Sequence, residues 1–133
     1  MLDVVVTVPK AFTHPAAPGK KGLLAWIAEG DAAGDPDTGL LWEYSTYGAS
    51  PKILSGERVY IVCENRLRGY APLVDLRFYP RYGRSAPQGT VVFVRRGGAV
   101  AVTIPDKVVG FRGWKYRWWD RSVEIPFPDW KTP

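Results

Sequence analysis

Short β-branched runs, each cut off within a few residues by glycine or proline, leave this chain room for strands and little for helices. The runs are LDVVVTV at 2–8, ERVYIVC at 57–63, TVVFVR at 90–95 and AVAVTI at 99–104. Valine, isoleucine and aromatic side chains suit a pleated, half-buried surface, and Pro9 and Pro105 stop two of the runs. Glu64-Asn65 predicts a tight turn that brings 68–74 back as the hairpin partner of 57–63. Gly97-Gly98 predicts a second hairpin between 90–95 and 99–104. LLWEYSTY at 40–47 reads as extended. Within 108–119, Trp114, Tyr116 and Trp118 alternate, which predicts a strand with an aromatic face and a basic face at Lys115 and Arg117. One short helix is expected over 21–29, where Leu23, Trp26 and Ile27 share a stripe and Gly30 can end it. The expected fold is α+β but mostly β: a small mixed or antiparallel β-barrel of roughly six or seven strands with one or two short helices.

A chain of 133 residues suits one domain, here 1–133 with 120–133 as an extended, proline-rich arm. Its 46% hydrophobic and 23% charged content supports one core and excludes a disordered chain. No apolar run approaches the roughly 18 residues of a membrane span. The opening MLDVVVTVPK lacks a basic n-region and a small-residue cleavage site, so no signal peptide is expected and a cytoplasmic location is the simplest expectation. Cys63, the single cysteine, excludes an internal disulfide and cannot alone build a zinc site; it reads as an inert core residue. With His14 the single histidine, little room is left for histidine catalysis or metal binding, and no cofactor is implied. A Cys63–His14 nucleophilic pair would require the fold to unite them.

Charge is uneven. Residues 1–66 carry six basic and eight acidic side chains, and 67–133 carry twelve basic and five acidic, so the halves stand at −2 and +7. Nine of eleven arginines and four of six tryptophans lie in the second half. Guanidinium groups fork onto phosphates and rings stack on bases, so this interleaving suits nucleic acid. It equally suits a barrel whose arginines are solvated and whose aromatics fill the core.

Three segments carry a family resemblance: VVVTVPK followed by LLAWIAEGD, then LWEYSTYG, then SGERVYIVCENRLRGYAPLV. In this order they resemble the PUA-like superfamily, which includes the ASCH, EVE and YTH domains. LWEYSTYG is similar to the Trp-Ser-Thr segment of YTH domains, where the tryptophan helps cage a modified base; here Glu43 and Tyr44 intervene. Lys10, after the first strand, is similar in position to a lysine used by ASCH enzymes.

The candidate base pocket comprises Trp26, Glu29, Asp31, Trp42, Tyr44, Ser45 and Thr46: rings for the faces of a base, hydroxyls and carboxylates for its edge. Trp26 also fits core packing, and Glu29 and Asp31 also fit a solvated turn. Candidate phosphate contacts are Lys10, Arg66, Arg68, Arg81, Arg84, Arg112, Lys115 and Arg117. Arg66 and Arg68 alternate and would point the same way. Arg81 and Arg84 sit in the basic, aromatic loop PRYGRS. Trp119 falls on the basic face as a stacking platform, or lies beneath the arm formed by Pro126, Phe127 and Trp130. The expected function is a nucleic-acid-binding module, DNA or RNA, reading a modified or flipped base. The alternatives are an ASCH-type hydrolase using Lys10, Glu29 or Asp31 on RNA or a modified nucleoside, and a non-catalytic interaction module.

Overall fold

Two strands buried on both faces organise the molecule. In the computed structural model, which describes residues 2–28, 41–80, 89–96 and 100–132 apart from the side chains of Trp42 and Arg96, β1 (Val4–Val8) runs parallel to β3 (Arg58–Cys63). One face of this pair holds Val4, Val6, Val59 and Ile61, packed against Trp26, Phe93 and Trp130. The other holds Val5, Tyr60 and Val62, covered by Ile104, Val108 and Trp119. Double burial is why these runs are continuously apolar rather than alternating.

The remaining strands are β2 (Leu41–Tyr47), β4 (Arg66–Tyr79), β5 (Thr90–Arg96), β6 (Val102–Thr103), β7 (Trp114–Tyr116) and β8 (Ile125–Pro126); the helix α1 spans Leu23–Ala28. Six strands form one mixed sheet in the order β2-β5-β4-β3-β1-β7, and β6 pairs with β8. The predicted turn at Glu64-Asn65 joins β3 to β4, with both residues at positive φ (51° and 63°), the conformation that a two-residue hairpin turn demands.

β4 is the spine. Its first half pairs with β3 and its second half with β5, and register slips beside Arg68 and Val74 bend it twice. Bulges of this kind add local twist, so the sheet curls into a half-closed barrel. The mostly β, α+β expectation is met at this level.

Three local expectations change. Val102–Thr103 does not return along β5: among the described residues β5 pairs with β2 and β4, Val100 bridges Tyr70, and β6 takes β8 as its partner. The aromatic alternation of 108–119 yields only the three residues of β7, because Gly113 at φ 75° ends the extended run on one side. The proline-rich arm contributes to the core: it makes a one-turn 3-10 helix, then β8, then buries Phe127 and Trp130. The Trp130 ring meets Trp26 edge-on at 5.3 Å.

Arg68 ties that segment down. The guanidinium is fully buried and donates through Nε to Cys63 O (3.0 Å) and through Nη1 to Trp130 O (3.1 Å) and Thr132 O. If the segment is core, Trp130→Ala should cost about 3–5 kcal/mol in urea unfolding, the usual range for a buried large aromatic. A loss within about 0.5 kcal/mol, the scale of surface substitutions, would mean that 125–132 lies on the outside.

Candidate nucleic-acid interface at the sheet seam

The curled sheet brings its edge strand β2 back towards β1 and β7, yet no backbone ladder joins them among the described residues. Side chains span the gap instead. Tyr44 Oη donates to Thr7 O, Trp114 Nε1 donates to Ala49 O at 2.7 Å, and the Lys52 N–H donates to Tyr116 Oη at 2.9 Å. The loop 109–113 closes one end. Gly110 lies so near β1 that a Cβ there would sit 2.9 Å from Thr7 Cγ2, and one on Gly113 would sit 3.0 Å from Tyr47 O.

What stays open is a cleft of about 530 Å³ along the seam, walled by Thr7, Tyr44, Thr46, Tyr47 and Phe111, with Arg112 at its rim. A second lobe of about 340 Å³ shares Thr7, Pro9, Phe111 and Arg112 and adds Lys10, Glu64 and Asn65. The two lobes meet at Phe111. Burial, and then the nearby Cys63, push the Tyr44 phenol up to about 12, so it stays a neutral donor to Thr7 O. The Thr46 hydroxyl makes no hydrogen bond to a described residue, and Arg112 and Lys10 make no ion pair with one.

The expected base-pocket residues divide. Tyr44, Ser45 and Thr46 line the seam cleft. Trp26 is a core residue rather than a pocket wall, because its stripe of α1 faces Trp130. The Trp42 backbone, in β2, pairs with Arg95 of β5, and its side chain lies outside the described residues, as do Glu29 and Asp31.

The expected phosphate contacts divide as well. Lys10 and Arg112 line the lobes, and the exposed Lys115 places Nζ 4.6 Å from the Phe111 ring centroid. Arg66 and Arg68 do share a direction, but it leads to the Phe127 ring, 4.3 Å and 5.7 Å from their guanidinium carbons. Arg68 is therefore a buried structural cation and not a phosphate contact. Arg117 is committed to Asp3 (3.0 Å), so it is not one either. Arg81 and Arg84 lie outside the described residues. Trp119 is buried beneath the 3-10 turn, its Nε1 donating to Glu124 Oε2 at 2.9 Å, and it is the neighbouring Trp118 that is exposed. Cys63 is enclosed, its thiol pushed up to about 11 by burial, and His14 accepts the Ala16 N–H within its own loop; neither forms a nucleophile here.

Sequence reasoning passed over Thr7, Phe111, Glu64 and Trp118. The signal for Phe111 was present in VVGFRGW, where two glycines flank Phe-Arg. Such glycines mark a close backbone approach. Among the described residues no helix is long and apolar enough to cross a membrane.

No family model, curated protein or solved structure matches the chain.

Asp3, at the far end of β1, settles which arginines are left for the cleft. Burial would raise its pKa, but hydrogen bonds from the Arg58 N–H, Arg121 and Arg117 together outweigh that and hold the carboxyl below its usual value. A depressed folded-state pKa contributes stability above the unfolded value of 3.8 and loses it as pH falls through the folded one. Asp3→Asn should therefore destabilise the protein by about 1.5–3 kcal/mol at pH 7, the range for hydrogen bonds to a charged group. The gap from wild type should narrow as pH drops below 3.8; a gap independent of pH from 7 to 2.5 would contradict the assignment.

Proposed function

We propose that this chain is a nucleic-acid-binding module of the PUA-like kind that accepts an unstacked base at the seam. The observation that carries the reading is the join of an aromatic, hydroxyl-bearing cleft to cations that make no ion pair with a described residue: Tyr44, Thr46, Tyr47 and Phe111 inside, Arg112 and Lys10 at the rims. A base needs flat apolar surface for its faces and a few fixed polar groups for its edge, since an unmatched edge group in a dry pocket costs about 1–3 kcal/mol. The Thr46 hydroxyl can meet such an edge as donor or acceptor. The volume of about 530 Å³ falls within the usual range for small-molecule sites. Arg112 and Lys115, one residue position either side of the Gly113-Trp114 step, supply the phosphate contacts, which fix position without reading sequence. The same pocket would take a base carrying a small modification.

A second reading, an ASCH-type hydrolase, is favoured by one observation: Lys10 and Glu64 line the same lobe and offer a cation and a carboxylate for acid–base work. Its signature would be turnover of a modified nucleoside rather than simple retention of RNA or DNA.

Binding of labelled RNA and DNA oligonucleotides, measured by fluorescence anisotropy over a salt series, tests the main reading. Each phosphate neutralised releases counterions, so the slope of log K against log salt counts contacts. Arg112→Ala with Lys115→Ala should weaken binding to all sequences and flatten the slope by about 2, roughly 1 per phosphate contact. An unchanged slope would remove both residues from the interface.

A further inference from the structure

Trp118 is the one exposed tryptophan among those with described side chains, at 55% exposure, and two rings pack against it. Its ring stands edge-on to the buried Trp119 (5.0 Å between centroids, 86° between planes) and near-perpendicular to Phe111 (6.2 Å, 67°). Trp119 is itself fixed by Glu124, a carboxylate that also accepts from Arg58 and Tyr60. A large apolar ring left in water but braced on two sides loses little conformational freedom when something stacks on its open face. Lys115 Nζ lies between these rings, 4.6 Å from the Phe111 centroid and 6.0 Å from that of Trp118. Phe111 lines both lobes of the seam cleft, so cleft, cation and exposed indole are contiguous.

We infer that Trp118 is a second stacking platform and that the ligand is single-stranded nucleic acid, a deepening that rests on the proposed base-binding function of the seam. One base enters the cleft, the linking phosphate meets Arg112 and Lys115, and the adjacent base lies on Trp118. Both bases must leave their neighbours in a stack to do so. A duplex cannot offer two unstacked faces in succession without breaking its pairs, whereas a single strand can, and stacking on an aromatic ring tolerates any base. The Lys115 ammonium beside the platform, with Arg112 on the adjoining cleft, fits a polyanion better than an apolar protein partner.

The test uses the intact chain and a fluorescein-labelled ten-nucleotide RNA, the same sequence as DNA, and a duplex of that sequence. Trp118→Ala should weaken binding of either single strand roughly five- to 150-fold, the loss equivalent to about 1–3 kcal/mol of stacking for one base. Trp118→Phe should recover much of it. Thermal melts of both variants check the fold, and the exposed position of Trp118 predicts little change. Single-strand binding unchanged in a folded Trp118→Ala, or a duplex bound as tightly as the strand by wild type, would overturn the platform while leaving the seam reading intact. Absence of any oligonucleotide binding by wild type at 50 mM salt (about the low end of the usual range for such titrations) would overturn both.

Discussion

The architecture depends on a seam that side chains close and backbone does not. A curled sheet of six strands puts its first and last members within reach of each other. A full ladder between β2 and β7 would make a closed barrel with no edge and no opening. Instead β7 has three residues, too few to meet the seven of β2, and the backbone groups along the gap are served one at a time by the side chains of Tyr44, Trp114 and Tyr116. Side-chain bridges leave gaps between them that ladder bonds would not. The cleft is the volume left along that line, and the two glycines of the loop 109–113 let its backbone come close enough to close one end.

The same economy governs the charges. A surplus of arginine in the second half of a sequence says nothing about which arginines face water. Here buried acceptors claim several of them: Asp3 holds Arg117 and Arg121, Glu124 holds Arg58, and the carbonyls of Cys63, Trp130 and Thr132 hold Arg68. A buried charge must be paired or hydrogen-bonded, so these contacts take precedence over any ligand. All of them except the Arg68–Cys63 bond also fasten residues 117–132 onto the sheet, since they join that region to Asp3, β3 or β4. Lys10, Arg112 and Lys115, which make no ion pair with a described residue, are the cations beside the seam that the proposed polyanion would meet.

The strands with β-branched runs were legible because both of their faces are buried, and the Glu64-Asn65 turn was legible because only a few residues tolerate positive φ in succession. The limits have equally physical causes. Gly97-Gly98 looks like a hairpin, but the partner of Val102–Thr103 is Ile125–Pro126, and local patterns carry no trace of a pairing that distant. The β4 strand runs on to Tyr79 through LRFY, paired to β5 although Arg77, Phe78 and Tyr79 are exposed, so hydrophobicity alone leaves open whether 75–79 continues the strand or bulges. Arg66 and Arg68 share a direction as their spacing implies, yet a bulge beside Arg68 and a tail that packs over it turn a hairpin-tip clamp into a core anchor. Of the residues that line the cleft, Tyr44, Ser45 and Thr46 were singled out by sequence. Phe111 was missed, because its role comes from the loop crossing the seam rather than from its own neighbours.

A single strand bound at the seam would touch its cations and the adjoining indole. The most direct measurement is an amide and indole proton–nitrogen NMR titration with a short single-stranded RNA. Shifts are expected at Thr7–Lys10, Tyr44–Tyr47, Phe111–Gly113 and the Trp118 indole alone, with the buried Trp119 and Trp130 indoles nearly still. Shifts centred on the opposite side of β2, around Tyr79 and Val92, with the seam unperturbed, would contradict binding at the seam.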